Sequence, residues 1–90
     1  MYIYKAAVIG AGTMGSQIAQ VISYSGLPVI LKDIDETAVN KGIGAIRKIY
    51  QARVDKGKMT PAEMEQKMAL ISTTTGYEGF IDVDIVIEAA

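Results

Sequence analysis

Four short apolar or β-branched runs alternate along the chain with longer segments in which apolar residues recur every three or four positions. Short apolar runs bounded by glycine, proline or polar residues are typical of buried parallel strands. The predicted strands cover residues 5–9, 29–31, 70–75 and 84–89. Because strands and helical segments alternate, the pattern predicts an α/β fold with a parallel sheet and right-handed crossovers.

Two of the intervening segments have the apolar spacing of long helices. The first covers about residues 13–25 and is expected to stop at Gly26, since glycine is favoured just beyond helix ends. The second covers about residues 36–56. Gly42 and Gly44 lie inside it, where each glycine costs about 1 kcal/mol relative to alanine. We therefore predict that both glycines mark close packing of this helix on its neighbours.

A third, shorter helix is predicted to begin at residues 60–63. Their sequence, Thr-Pro-Ala-Glu, is typical of a capping box with proline at the first helical position. Met64 and Met68 follow one helical turn apart, so we expect both to face the core. Residues 76–82 are expected to form a turn or a single helical turn before the last strand.

The composition is that of a globular domain, because half of the 90 residues are hydrophobic and the formal net charge is -1. A balanced charge without a basic stripe argues against nucleic acid as a partner. No apolar run reaches the length of a membrane span and no secretory signal is visible, so we expect no membrane partner and a cytoplasmic location. The chain contains neither histidine nor cysteine, and we assign it no catalytic residue and no metal site.

Residues 10–15, Gly-Ala-Gly-Thr-Met-Gly, have the pattern G-x-G-x-x-G that accompanies dinucleotide binding. A glycine-rich hexamer alone is weak evidence, but here a predicted strand precedes it and a predicted helix follows it. In addition, Asp33 ends the next strand 18 positions after Gly15. This is close to the spacing of about 20 expected for a ribose-binding acidic residue. The combined pattern predicts a dinucleotide site.

Each position of the motif has a predicted role. Gly10 permits the tight turn out of the first strand, Gly12 lets the backbone approach the pyrophosphate, and Gly15 lets the helix pack closely on the sheet. The N–H groups around Thr13 and Met14 are expected to face the phosphates, with the positive end of the helix dipole behind them.

Asp33 is predicted to choose between the two nicotinamide cofactors. Its carboxylate can accept hydrogen bonds from the hydroxyls of the adenosine ribose, whereas a 2′-phosphate at the same place would meet like charge. We therefore predict NAD rather than NADP. Lys32 could in principle meet a phosphate, but strand alternation points it away from Asp33, and we expect it to be a solvated lysine.

The other charged residues are interpreted mainly as a solvated surface. For a basic group near the end of the second helix, the alternative is attraction of a phosphorylated acyl carrier such as coenzyme A. Glu88 is either a strand-end group near the cofactor crevice or a carboxylate that stabilises the fold. The basic group comprises Arg47, Lys48, Arg53, Lys56 and Lys58.

Four separated segments resemble, in order, the NAD-binding domain of 3-hydroxyacyl-CoA dehydrogenases. They are KAAVIGAGTMGSQIAQ, VILKDID, DKGKMT and GYEGFIDVDIVIEAA, and the resemblance covers nearly the whole chain. The likeness is strongest to the dehydrogenase part of multifunctional fatty-acid oxidation enzymes. It implies a Rossmann-type doubly wound parallel sheet, incomplete here, with about four strands in the order 3-2-1-4 and a cofactor crevice between strands one and four.

The resemblance implies a parent enzyme that oxidises the 3-hydroxyl group of an acyl-CoA to a ketone in fatty-acid β-oxidation, with NAD as cofactor. Acyl-CoA is then the substrate partner, and a homo-oligomer or a larger oxidation complex is the expected assembly. The catalytic histidine–glutamate pair of the family lies beyond the fourth strand. Residues 1–90 are therefore expected to be only the N-terminal part of the NAD-binding domain, without the catalytic residues or the C-terminal helical domain.

The motif and the resemblance together indicate the residues that surround the cofactor. The glycine turn would line the pyrophosphate, the aspartate would bind the ribose, and the end of the fourth strand would approach from the other side of the crevice. The expected cofactor-binding residues are Gly10, Gly12, Thr13, Met14, Gly15, Asp33, Ala89 and Ala90.

Two other functions are left open. One is another β-hydroxyacid dehydrogenase with a G-x-G-x-M-G turn, although many of these prefer NADP and place asparagine or arginine at the position of Asp33. The other is a non-catalytic module that binds NAD, for which the lack of a general base in the chain is the formal argument. If the family strand order holds, the fourth strand is an uncovered apolar edge, and it is expected to promote self-association or strand exchange.

Overall fold

Strands and helices alternate through residues 2–90, which a computed structural model describes. Each boundary lies within one residue of the prediction, and residues 80–82 form a single 3-10 turn. In chain order the elements are β1 (Ala6–Ile9), α1 (Thr13–Tyr24), β2 (Val29–Lys32), α2 (Glu36–Asp55), α3 (Pro61–Met68), β3 (Ile71–Thr74) and β4 (Ile85–Glu88).

The four strands pair in the order β3-β2-β1-β4 and all run parallel, which confirms the expected topology. β1 is central, and its Ala6 lies opposite Val29 of β2 on one side and Ile85 of β4 on the other. In a parallel sheet, the carboxyl ends of the strands meet at one edge. The turn after β1, Asp33 after β2 and the residues after β4 are therefore brought to the same edge of the sheet.

α1 and α2 cover one face of the sheet, α3 packs on both of these helices, and all three contribute to the core. Because side chains alternate across a strand, Val8 of β1 and Leu31 of β2 point to the same face, and both are fully buried against the helices. α1 packs on β1 and β2, and α2 packs on α1. Met64 and Met68 are buried in this core, as the helical spacing predicted. The buried cluster consists of Ala6, Val8, Ala11, Ala19, Val29, Leu31, Ile46, Tyr50, Met59, Met64 and Met68.

The opposite face of the sheet is partly covered by the segment that contains the 3-10 turn. Ala7 and Ile30 point to this face and are buried. Gly79 packs directly on Ile30, since a Cβ atom on Gly79 would lie 3.2 Å from Cδ1 of Ile30. The backbone of Gly79 has a φ of 84°, a conformation that glycine adopts without strain. This short segment therefore replaces a helix as the cover of the second face.

The two glycines inside α2 differ in their surroundings. A Cβ atom on Gly42 would lie 2.9 Å from the carbonyl oxygen of Ala11 and 3.0 Å from Cδ2 of Leu31, so close packing is confirmed there. Around Gly44, no atom of the described residues lies within 4 Å of the equivalent position, and the residue is exposed. The prediction was therefore wrong for Gly44, because that position faces away from the sheet.

The start of β1 is tied to the start of β4 by an aspartate. One carboxylate oxygen of Asp84 accepts hydrogen bonds from the backbone N–H groups of Tyr4 and Lys5, at 2.7 and 3.1 Å. The side chain of Lys5 pairs with Asp82 at 3.1 Å. β4 is thus fastened to β1 along one edge, while its other edge has no neighbouring strand among the described residues.

A buried polar contact joins α1 to α2. The hydroxyl groups of Tyr50 and Ser23 lie 2.6 Å apart, and the Tyr50 hydroxyl also donates to the carbonyl oxygen of Gln20 at 3.1 Å. Both side chains are fully buried. Burial raises the pKa of the Tyr50 hydroxyl, although the contacts with Ser23 and Gln20 act in the opposite direction. The Tyr50 hydroxyl is therefore un-ionised and acts as a hydrogen-bond donor in the buried interface between α1 and α2.

Replacing Tyr50 with phenylalanine is expected to lower the free energy of unfolding by about 1 kcal/mol, because the buried hydroxyl of Ser23 then loses a partner. Denaturant unfolding measures the change. Tyr4→Phe removes the same group from a side chain that is 70% exposed, and serves as the matched control. Equal losses in the two variants would contradict a structural role for the buried contact.

The free edge of β4 is expected to cause association at high concentration, because unpaired strand edges pair with one another. Ile85 and Val86 on this strand are 39% and 49% exposed. Val86→Lys should reduce the apparent mass measured by light scattering, whereas Val21→Lys, which removes exposed apolar surface from α1, should leave it unchanged. A wild-type chain that stays monomeric at every concentration would refute this expectation.

Candidate functional site

The turn after β1 is shaped by Gly10. Its φ is 106°, a conformation that L side chains rarely adopt, and its N–H donates to the carbonyl oxygen of Lys32 at 2.8 Å. A Cβ atom on Gly10 would lie 2.9 Å from the backbone nitrogen of Ala90 and 3.0 Å from the carbonyl carbon of Ala89. The predicted tight turn is confirmed, and the end of β4 packs directly on it.

Gly15 lies where the first turn of α1 meets that turn. A Cβ atom at Gly15 would overlap the carbonyl oxygen of Gly10 and would lie 2.8 Å from its carbonyl carbon. No side chain fits at this position without moving the backbone. The predicted packing role of Gly15 is therefore confirmed, and it sets the distance between α1 and the sheet.

Gly12 has the opposite surroundings. It is the N-cap residue of α1, it is exposed, and no atom of the described residues lies within 4 Å of a Cβ placed on it. The first N–H groups of a helix have no acceptor within the helix, and Gly12 has no side chain to cap them. Thr13 and Met14, which follow, are also exposed. The start of α1 is therefore an open cradle in which N–H groups and the helix dipole favour a negative charge.

Asp33 lies at the end of β2, beside this cradle. One of its carboxylate oxygens accepts the N–H of Ala11 at 2.7 Å, and the other accepts the N–H of Ile34 at 2.6 Å. These two bonds, the one from Ala11 foremost, lower the pKa of the Asp33 carboxyl. Each oxygen can still accept a further hydrogen bond. The carboxylate is thus ionised, fixed in direction and able to bind a diol.

Ala11 is a site residue that the sequence analysis missed. Besides its N–H bond to Asp33, its carbonyl oxygen accepts a hydrogen bond from the buried hydroxyl of Ser16 at 3.0 Å. Its backbone also packs against Gly42 of α2. The only sequence signals were a small residue between two motif glycines and a glycine inside a helix. Ala11 therefore connects the glycine turn, Asp33 and α2.

The end of β4 lies directly beside the glycine turn. The N–H of Ala89 donates to the carbonyl oxygen of Ile9 at 2.8 Å, which holds this segment against the turn. The carboxylate of Glu88 is exposed and accepts the N–H of Ala90 at 3.1 Å. Glu88 was interpreted either as a strand-end group near the cofactor or as a carboxylate that stabilises the fold. Its exposed position at the end of β4 agrees with the first interpretation.

Lys32 is not the solvated lysine that was expected. Its side chain is half-buried, and its ammonium group lies 4.7 Å from the centre of the Tyr77 ring. Lys32 lies opposite Ile9 of β1 and Thr74 of β3, on the face of the sheet that also holds Ile30. This position agrees with the prediction that its side chain points away from Asp33. A cation over an aromatic face is attracted to the ring electrons.

The basic group near the end of α2 is only partly a solvated surface. Arg47 forms an ion pair with Glu65 at 3.0 Å, and Arg53 is half-buried with its guanidinium 4.7 Å from the centre of the Tyr24 ring. These two arginines thus link α2 to α3 and α1. The remaining members, Lys48, Lys56 and Lys58, are exposed.

Two kinds of site are not found among residues 2–90. No three histidine, cysteine, aspartate or glutamate side chains come together in a way that could hold a metal ion. No helix in this part of the chain combines the length and the apolar character needed to cross a bilayer. What these residues do bring together is the cradle at the start of α1, the carboxylate of Asp33 and the end of β4. This arrangement suits a ligand in which a diphosphate is joined to a ribose.

The sequence profile of the family described as "3-hydroxyacyl-CoA dehydrogenase, NAD binding domain" matches residues 5–90. The chain is 46% identical over 87 residues to a peroxisomal fatty acid beta-oxidation multifunctional protein of Arabidopsis thaliana and to a fatty acid oxidation complex subunit alpha of Psychrobacter arcticus. In both cases the match covers 97% of this chain and 12% of the relative.

Solved structures show the same similarity in three dimensions. The crystal structure of (S)-3-hydroxybutyryl-CoA dehydrogenase from Ralstonia eutropha superposes with a TM-score of 0.94 and 38% identity, over 99% of this chain and 31% of that one. A 3-hydroxybutyryl-CoA dehydrogenase from Escherichia coli gives 0.93 and 36%, over 100% of this chain and 19% of that one. The chain thus spans less than a third of the length of these proteins.

The lowered pKa of Asp33 predicts a specific loss of stability in acid. A depressed folded-state pKa contributes stability above the ordinary value of 3.8, and this contribution disappears as the pH falls. Asp33→Asn should therefore be less stable than wild type near neutral pH, and the difference should shrink towards about pH 3. Thermal unfolding at a series of pH values measures it, with the exposed Asp55→Asn as the control. A difference between wild type and Asp33→Asn that does not change with pH would contradict this account.

Proposed function

This chain belongs to the family of 3-hydroxyacyl-CoA dehydrogenase NAD-binding domains, and on that basis we propose how it holds NAD. The pyrophosphate lies in the cradle at the start of α1, against the N–H groups around Thr13 and Met14. The adenosine ribose bonds to Asp33. Ala89 and Ala90, which pack on the glycine turn at the end of β4, border the cofactor on that side.

The observation that carries this proposal is the contrast among the three motif glycines. Side chains at Gly10 and Gly15 would strike the protein itself, whereas a side chain at Gly12 would meet only open space. Packing therefore accounts for the first two glycines but not for Gly12. A ligand that approaches the backbone at Gly12 does account for it, and a pyrophosphate has the charge that the helix start favours.

Asp33 supports NAD as the preferred form of the cofactor. Its pinned carboxylate offers free acceptor positions to ribose hydroxyls, and it would repel a 2′-phosphate. Many of the other β-hydroxyacid dehydrogenases that were left open prefer NADP, and Asp33 argues against them.

For the protein to which these residues correspond, we propose oxidation of a 3-hydroxyacyl-CoA to a 3-oxoacyl-CoA in fatty-acid β-oxidation. Bound NAD supplies the hydride acceptor. Within residues 2–90 the proposed task is binding and orientation, and no residue is assigned the removal of the hydroxyl proton. Since the chain covers 12% of its curated relatives, we propose that residues 1–90 are the N-terminal part of the NAD-binding domain of such an enzyme.

The partners and location are proposed on the same grounds. Acyl-CoA is the substrate of the full enzyme, and a homo-oligomer or a larger oxidation complex is its assembly, in line with the name of the Psychrobacter relative. No nucleic acid or membrane partner is proposed. We propose a cytoplasmic location, while the name of the Arabidopsis relative places that protein in peroxisomes.

A titration with NADH, followed by its own fluorescence, tests the proposal. Wild type should bind saturably, and Gly12→Ala should bind at least about tenfold more weakly, a loss of about 1.4 kcal/mol. Its melting temperature should stay close to that of wild type, because no atom of residues 2–90 lies within 4 Å of the added Cβ.

Gly44→Ala is the matched control for this experiment. It also adds a methyl group in open space, but on the outer side of α2 and away from the cradle. Its affinity for NADH should equal that of wild type. Undiminished binding by Gly12→Ala, or no saturable binding by wild type, would refute the proposed site.

A further inference from the structure

Lys32 places a cation directly beside the residue that is proposed to select the cofactor. It ends β2, and Asp33 follows it. Among the influences on Asp33, the charge of Lys32 also lowers the pKa of that carboxyl. A free lysine next to a ribose-binding carboxylate would attract a 2′-phosphate or neutralise the carboxylate, and in both cases would weaken discrimination against NADP. The position of Lys32 therefore matters for specificity.

The segment after β3 holds Lys32 on the second face of the sheet. The ring of Tyr77 lies under the lysine ammonium, 4.7 Å from it. Phe80 contacts this ring edge-on, with the two centres 5.3 Å apart and the planes at 83°. The aromatic pair is thus a braced platform, although the Tyr77 side chain itself is 69% exposed.

Glu78 completes the arrangement with a negative charge. Its carboxylate accepts a hydrogen bond from the hydroxyl of Thr74, and this bond, together with a smaller contribution from the charge of Lys32, lowers the pKa of the Glu78 carboxyl. The same hydroxyl of Thr74 accepts the N–H of Gly76 at 3.0 Å, which fixes the turn. The carbonyl oxygen of Thr74 accepts the N–H of Asp33 at 3.3 Å. The turn that carries Tyr77 and Glu78 is therefore joined to the backbone of Asp33.

From this geometry we infer that Tyr77 and Glu78 are specificity-determining residues, which retain the Lys32 ammonium on the second face and so keep it from reaching a 2′-phosphate at Asp33. The inference rests on the proposed binding of NAD at this site. A 2′-phosphate then meets the negative charge of Asp33 with no contact from the Lys32 ammonium, whereas ribose hydroxyls meet a hydrogen-bond acceptor. Neither residue needs to touch the cofactor to have this effect.

The test compares the affinities for NADH and NADPH in wild type and in Tyr77→Ala. Wild type should prefer NADH. Removing the ring releases Lys32, and the preference for NADH should fall by about threefold to tenfold, mainly through tighter binding of NADPH. Glu78→Gln keeps an acceptor for Thr74 but removes the charge, and should move the preference in the same direction.

Two further variants separate release of Lys32 from a general disturbance of the turn. Tyr77→Phe keeps the aromatic face and should retain the wild-type preference. In the double variant Lys32→Ala/Tyr77→Ala the preference should return to that of the single variant Lys32→Ala, because no lysine is left to release. Far-ultraviolet circular dichroism confirms that each variant is folded.

An unchanged preference in both Tyr77→Ala and Glu78→Gln would overturn the inference, and so would an equal fall in preference with and without Lys32. In those cases NADH binding by wild type would still support the proposed function. Wild type that fails to bind NADH would overturn the proposed function, and the inference with it.

Discussion

The contact between Gly15 and the carbonyl group of Gly10 is the constraint on which the rest of the structure depends. A Cβ atom at Gly15 would overlap that carbonyl oxygen, so α1 can lie this close to the turn after β1 only because residue 15 is glycine. This close approach allows α1 to pack on β1 and β2. It also leaves the start of the helix at the carboxyl edge of the sheet, with Gly12 open to solvent.

A second layer of close contacts builds on the first. Ala11 lies inside the turn that Gly10 and Gly15 define, and Gly42 of α2 packs on its backbone. α2 therefore rests on the turn as well as on α1, and the buried hydroxyl pair of Tyr50 and Ser23 fastens the two helices further along. The backbone atoms that form the glycine turn thus also take part in the packing of the core.

The local elements could be predicted from the sequence because their signals are local. Periodicity gave each boundary to within one residue, and Gly10 adopts the turn that its motif requires. The errors concern partners that lie far apart in the chain. Gly44 faces solvent, and Lys32 meets a tyrosine that follows the next strand along. The face of a helix that is buried and the ring that a side chain contacts both depend on how the elements pack. The pattern along one segment contains no information about that packing. The bond between Asp33 and Ala11, 22 positions apart, was missed for the same reason.

Because of that bond, Asp33 has two roles. The carboxylate that would recognise the ribose also holds the glycine turn by accepting the N–H of Ala11. Replacing this aspartate with a small or basic residue, as accommodation of a phosphorylated ribose would require, would also remove the bond that holds the glycine turn. Cofactor preference and the stability of the turn are therefore coupled at this one side chain.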